Sequence, residues 1–338
     1  MKTIITGGAG FIGSNAANYY LKKGQVVLID NLSRGGTIKN LKWLKAHGQI
    51  KFLNIDVRET KAIERAFFEH RNANLVLHLA GQTAVTTSVS NPREDFEVNA
   101  FGTFNVLEGI RKARIKAPII YCSTNKVYGG MEDIKILKRG GRYLFANYPY
   151  GISEQRPIDF HSPYGCSKGA AEQYVHDYHR IYGLNTVVFR MSCIYGPRQF
   201  GIEDQGWVAW FMIASALNKP LTVYGDGKQV RDVLYIDDLI RAFHLATKNI
   251  KRTAGKFYNI GGGHQNILSL HDLLRFIREK RDRQLSFTKK DWRPGDQKVY
   301  ISDIRQAFKD FGWKPQINSR QGLSLLYQWI SENKALFQ

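Results

Sequence analysis

Seven residues near the start of the chain, Gly7-Gly8-Ala9-Gly10-Phe11-Ile12-Gly13, constrain the fold more than any other segment. They follow a β-branched run, Thr3–Thr6, and open a helical pattern over Phe11–Lys23. A chain that leaves a strand, turns on glycine and enters a helix at this spacing carries a dinucleotide fingerprint. Gly7 permits the tight turn, Gly10 lets a pyrophosphate approach bare backbone, and Gly13 lets helix and strand pack closely. Phe11 and Ile12 fall in the helix's first turn, whose free N–H groups favour phosphate. A glycine turn that holds no ligand is the alternative.

The first half of the chain repeats this alternation. Strand-like runs at Val26–Ile29, Ile50–Asn54, Leu75–Leu79, Pro118–Ser123 and Thr186–Arg190 are separated by helical patterns such as Ala62–Glu69, Phe96–Lys112 and Ser167–Tyr182. Near-continuous apolar strands between helices predict a parallel sheet covered on both faces, a doubly wound α/β fold of the Rossmann type. Lys256–Ile260 is expected to extend that sheet. The division expected is a dinucleotide-binding domain, 1–190 plus about 233–262, and a smaller discontinuous substrate lobe, about 191–232 and 263–338. The stretch 129–161 has few periodic signals and is expected to loop over the active site.

Asp30 ends the second strand, where a carboxylate accepts the adenosine ribose hydroxyls and repels a 2′-phosphate. This favours NAD over NADP, with Arg34 the neighbour that argues the other way. Asp56, after the third strand, either meets the adenine amino group or caps the strand end. Tyr164 and Lys168 stand one helical turn apart and so share a face. A cation beside a phenol lowers the phenol's pKa, and such a tyrosine can take a proton from an alcohol.

Composition narrows the function classes. Hydrophobic residues make up 43% and charged residues 23%, which suits a soluble globular protein. No apolar run has transmembrane length and no leader pattern opens the chain, so a cytoplasmic protein without a membrane partner is expected. Cys122, Cys166 and Cys193 form no close pair and are expected to be small, reduced, buried hydrophobes. Glu172, His176 and His179 share a helix face without a fourth ligand, so no metal is expected. The net charge of +20 raises the question of nucleic acid. The basic residues are scattered and no recognition motif accompanies them, so no specific nucleic-acid partner is expected.

Together the glycine loop, Asp30, Asp56-Val57, His78-Leu79-Ala80, Asn99, the run Ser123-Thr124-Asn125-Lys126-Val127-Tyr128-Gly129 and Tyr164-x-x-x-Lys168 resemble the extended short-chain dehydrogenase/reductases. These are nucleotide-sugar-modifying enzymes, and the resemblance covers nearly the whole chain. Residues 225–233 and 293–297 look like that family's diphosphate-gripping segments. Four stretches carry a narrower likeness, to the 2-epimerases of CDP-linked 3,6-dideoxyhexoses: 30–34, 123–129, 159–169, and Arg198-Gln199-Phe200 leading to Asp204-Gln205-Gly206-Trp207.

The resemblance implies an NAD-retaining isomerase that inverts C2 of a CDP-3,6-dideoxyhexose by transient oxidation, within lipopolysaccharide O-antigen carbohydrate metabolism. It implies catalytic Thr124, Tyr164 and Lys168, with the Thr124 hydroxyl bonding the developing oxyanion. Cofactor contacts implied are Gly7, Gly10, Phe11, Ile12, Gly13, Asp30, Asn31, Ser33, Arg34, Asp56, Val57, Leu79, Ala80, Gln82, Asn99, Tyr164 and Lys168. The nucleotide-sugar is expected at Thr124, Arg198, Gln205, Arg231 and Arg293, since guanidinium forks suit phosphate oxygens. Trp207 either shapes the sugar or base pocket or belongs to the core. A homodimer or homotetramer is expected. The family's 4,6-dehydratases carry an Asp-Glu pair where this chain has Asn125-Lys126, which disfavours elimination. A UDP-hexose 4-epimerase, or a 2-epimerase of other CDP- or GDP-hexoses, stays open. From another class, so does a catalytically silent nucleotide- or nucleic-acid-binding protein.

Overall fold

A computed structural model of the protein describes residues 1–281, 286–292 and 296–338. Seven strands form its central sheet: β1 (Lys2–Thr6), β2 (Gln25–Ile29), β3 (Ile50–Leu53), β4 (Leu75–His78), β5 (Ile119–Thr124), β6 (Thr186–Met191) and β7 (Lys256–Ile260). Their spatial order is β7-β6-β5-β4-β1-β2-β3, and every neighbouring pair is parallel. Such a sheet needs apolar cover on both sides, because alternate residues of each strand point to opposite faces. One face packs Leu28, Leu77, Ile120 and Phe189 against Ala16, Tyr20 and Phe243. The other packs Ile4, Val27, Val76 and Val188 against Val106, Ile110 and Val175. The strand order reverses between β1 and β4, so a crevice opens at their carboxyl ends. The fold is the doubly wound Rossmann type, and Lys256–Ile260 takes the expected edge.

Beyond the sheet, the strand Val230–Tyr235 pairs antiparallel with Ile267–Ser269 and parallel with Val299–Tyr300 and Cys193–Tyr195. Leu221–Tyr224 pairs parallel with Phe287–Lys290. This part is more regular than its composition suggested. It holds the helices Trp207–Ala216, Leu270–Glu279 and Ser319–Glu332. Leu270–Glu279 starts on a Ser269–Asp272 capping box.

Three expectations are corrected. First, residues 129–161 do not loop over the cleft described below, since none of them lines it. They contain a hairpin, Ile136–Arg139 with Arg142–Phe145. Gly140 and Gly141, at φ 58° and 76°, supply the left-handed turn that a two-residue hairpin needs. Phe145 joins a small core with Val127, Tyr128, Ile152, Val230 and Tyr300. Second, the helix expected over 96–112 opens with a π-helical turn, Glu97–Phe101, before continuing as Gly102–Lys112. Third, Cys122 is buried, but Cys193 is half-buried and Cys166 is exposed.

Candidate active site

The glycine loop is shaped by what a side chain would hit. A Cβ on Gly7 (φ +66°) would lie 2.7 Å from Ala80 N, and one on Gly13 would lie 2.1 Å from Gly7 O. Leu79 and Ala80 thus press on the turn from the end of β4. A Cβ on Gly10 would meet only Gly7 O, at 3.2 Å, so the helix N-terminus is open on that side. Asp30 is buried and accepts the backbone N–H groups of Ala9 (2.9 Å) and Leu32 (2.8 Å). Burial pushes its carboxyl up, while these N–H groups pull it down. A carboxylate offers about four lone-pair sites, so capacity remains for a ribose hydroxyl. Asn31 Nδ2 donates to Asp56 Oδ2 at 2.8 Å, and Ser33 N donates to Asn31 Oδ1 at 3.1 Å. The Arg58 guanidinium holds the Asp56 carboxyl down at about 2. Val57 packs against Gly102. Asn99 Oδ1 is buried with no partner among the described residues. An open glycine cradle, a strand-end carboxylate and this orphan acceptor fit a dinucleotide.

The helix Pro163–Tyr182 places the tyrosine and the lysine. Proline at its first turn presets φ, and the Ser162 side chain accepts from Gly165 N at 3.1 Å. Gly183 (φ 66°) ends it in the left-handed region. Thr124 ends β5, and its hydroxyl accepts from Lys126 N at 3.2 Å. Tyr164 is 8% exposed and Lys168 5%. The phenol is not lowered as the spacing predicted. Burial pushes it up to about 12, against the pull of the Thr124 hydroxyl and the Arg34 guanidinium. The lysine points elsewhere. Its Nζ stands over the Tyr121 ring, 4.3 Å from the centroid. Burial brings Lys168 itself down to about 8.

A cleft of about 400 Å³ joins the two parts, lined by Phe11, Ile12, Thr83, Thr124, Asn125, Lys126, Tyr164, Gln205, Trp207, Tyr224, Arg231 and Asp296 among others. Gln205 Nε2 donates to Thr83 Oγ1, which also accepts from Arg34 Nη1 at 2.6 Å. Trp207 lines the cleft half-buried, its indole N–H 3.4 Å from Cys193 Sγ. Arg231 faces the cleft and forms an ion pair with Asp296 at 2.8 Å. Arg198 is a correction. Its guanidinium lies over Trp43, 4.2 Å from the ring centroid, and near Trp329, outside the cleft lining. Stacking on two indoles outcompetes a solvated position for a weakly hydrated cation. Arg293 lies outside the described residues.

Comparison with known proteins agrees with this geometry. The model of the NAD dependent epimerase/dehydratase family matches residues 3–261. The chain belongs to that family. A CDP-paratose 2-epimerase of Salmonella typhi is 44% identical, over 98% of this chain and 99% of its own. Among solved structures, UDP-glucose 4-epimerase of Thermotoga maritima with UDP-glucose superposes with a TM-score of 0.84 at 30% identity, covering 98% of this chain and 99% of that one. UDP-glucose 4-epimerase of Thermus thermophilus in complex with NAD gives 0.82 at 30% identity, covering 98% and 100%. The present epimerase uses NAD as its cofactor.

Residue types alone missed three parts of the epimerase site. Lys126 lines the cleft, and burial together with the Arg231 charge brings it down to about 8. Tyr121 lies under Lys168. Asp95, fully buried, binds Gln82 Nε2 (3.0 Å) and Asn99 Nδ2 (3.2 Å). Its position four residues before Asn99 was the signal available. The His176 and His179 rings bond the carbonyls of Gly255 and Leu184, each at 2.8 Å, while Glu172 forms an ion pair with Arg190. No helix among the described residues is long and apolar enough to cross a membrane.

Proposed function

We propose that this epimerase inverts C2 of a CDP-3,6-dideoxyhexose, converting CDP-paratose to CDP-tyvelose with its NAD retained. The observation that carries the reading is the meeting of Thr124 and Tyr164 in one cleft whose neighbouring positions, 125 and 126, hold no carboxylate. Bound NAD would supply a hydride acceptor and then a hydride donor for the carbinol carbon, so net redox would be zero. Tyr164 Oη takes the hydroxyl proton during oxidation and returns it during reduction. The Thr124 hydroxyl donates to the oxygen as it becomes a carbonyl. Lys168 supplies positive charge behind them. The ketone is planar at C2, so turning the sugar in the cleft exposes its other face to reduction. Asn125 cannot titrate, and its Nδ2 donates to Gln297 Oε1 at 3.2 Å, so position 125 offers no base for elimination. Arg231 is assigned the diphosphate, and Gly7, Gly10, Gly13, Asp30 and Asn99 the dinucleotide.

C2 rather than C4 is supported by the Salmonella relative, at 44% identity over nearly the whole chain. The likeness to UDP-glucose 4-epimerases keeps a second reading in view. Purified enzyme incubated with CDP-paratose, without added NAD, should yield the C2 epimer by NMR. Absence of that epimer, with C4 inversion of a UDP-hexose in its place, rejects the assignment. The reading also includes a cytoplasmic location and a homodimer or homotetramer, the assembly supported by the aromatic cluster of Phe101, Phe104 and Tyr174.

A further inference from the structure

Two buried charges near the cleft lack a direct partner. Lys168 is 5% exposed, and no carboxylate lies within ion-pair distance of its Nζ among the described residues. Asp95, on the short helix Pro92–Phe96, is 0% exposed, and no cation among the described residues lies within ion-pair distance of it. Asp95 Oδ1 accepts from Gln82 Nε2 at 3.0 Å and Asn99 Nδ2 at 3.2 Å, and Oδ2 accepts from the Ser167 hydroxyl. Asn99 Nδ2 also reaches Ser167 Oγ, at 3.1 Å. All of these partners donate, which suits an ionised carboxylate. A Cβ on Gly81 would lie 2.9 Å from Asn99 Oδ1 and 3.7 Å from Lys168 Nζ, so the Asn99 side chain that binds Asp95 also borders the ammonium.

We propose that Asp95 is a positioning residue of this site, the buried counter-charge that keeps the Lys168 ammonium protonated at working pH. The inference rests on the reading of Tyr164 and Lys168 as the proton-handling pair. Other groups facing Lys168 are accounted for. Glu172, on the same helix, is neutralised by Arg190 at 2.5 Å. Burial pushes the Cys122 thiol of β5 up to about 12 and holds His78 of β4 down at about 3, so both are neutral. Tyr121 offers a ring face and Tyr164 a neutral phenol. Glu94 stands beside Asp95 and pushes its carboxyl up after burial has done so, while Ser167 and Lys168 pull it down. Of the two carboxylates that act on Lys168, Asp95 and Glu172, Asp95 is the one whose charge is not already matched by a cation. In a low-dielectric interior two such charges act on each other beyond contact distance.

The sign follows. Burial lowers Lys168, and a nearby anion raises it again. Removing the anion lets the ammonium lose its proton at lower pH. The test uses full-length, NAD-loaded enzyme labelled isotopically at lysine Cε. Its Lys168 signal is assigned by its loss in Lys168→Arg and followed by NMR as pH rises. Asp95→Asn should move the Lys168 midpoint down by about one pH unit, and Asp95→Glu should leave it near the wild-type value. Turnover of Asp95→Asn above both midpoints should be about tenfold lower than wild type. Should Asp95→Asn fail to fold, Asp95→Ser removes the same charge from a smaller side chain. An unchanged midpoint in a folded, uncharged variant overturns the proposal. The titration needs no substrate. A shifted midpoint in an enzyme that ignores CDP-paratose would therefore fault the substrate assignment and leave this inference standing.

Discussion

Burial sets the electrostatic problem that Tyr164 must solve. A phenol pushed up to about 12 keeps its proton at neutral pH, so the proposed chemistry needs positive charge close by. Arg34 pulls in that direction, and oxidised NAD adds a second cation when bound. Tyr164→Phe removes the proton acceptor and should lower kcat roughly 10²–10⁴-fold, measured as C2-epimer formed per minute. Wild-type turnover would take Tyr164 out of the reaction. Lys168 gives the pH dependence. Burial brings it down to about 8, so the ammonium is present below that value and lost above it. Turnover should fall as pH rises through about 8, and a profile flat well beyond that would remove the cation from the mechanism. The four-residue spacing of this pair was legible because the helical period alone fixes it. Its electrostatics were not, because they depend on Tyr121, Asp95 and Cys122, which arrive from other elements.

At the scale of elements, the glycine loop and the tyrosine helix are held by different physics. The loop is a steric lock. Gly13→Ala would put a Cβ 2.1 Å from Gly7 O and 2.7 Å from Gly8 Cα, so strand and helix must separate. Overpacking of this kind costs about 1–3 kcal/mol. The expected result is a lower urea midpoint and loss of the NAD that wild-type enzyme releases on denaturation. Wild-type values for both would show that the close packing is dispensable. The tyrosine helix is tied to β6 by Glu172 and Arg190, whose side chains are 0% and 5% exposed. Arg190→Leu strands a buried carboxylate and should destabilise by about 3–5 kcal/mol. Adding Glu172→Leu should recover most of that loss. A single variant as stable as wild type would show that the pair carries no such coupling. The parallel strands were legible because their apolar runs are continuous. The hairpin at 136–145 was missed although Gly140-Gly141 marks its turn. Its strands are four residues each and mostly half-buried or exposed, so they show little alternation. Trp207–Ala216 is apolar on nearly every side, and only its neighbours decide that it is a helix.

For the whole molecule, sequence offers residues but not the faces they share. Arg198 looked like a phosphate ligand from its motif, yet tertiary packing lays it on Trp43 and Trp329. The same limit hid an aromatic flank built from two helices far apart in sequence. Phe101 and Phe104 stack at 6.5 Å, and Phe104 meets Tyr174 edge-on at 5.9 Å. Phe101 is 39% exposed and Tyr174 49% exposed, on a chain whose net charge of +20 otherwise favours keeping copies apart. Exposed aromatics clustered in this way suit the core of an interface, where about 800 Å² per partner is needed for a stable dimer. In a two-fold dimer the same patch meets itself, so a charge introduced once appears twice. Phe101→Glu combined with Tyr174→Glu therefore places four carboxylates in an apolar contact and should convert a two-chain species to a one-chain species in sedimentation equilibrium. The hydrophobic core beneath these residues is untouched, so the thermal transition should remain cooperative. A double variant that still sediments with the two-chain mass would assign the interface to another face.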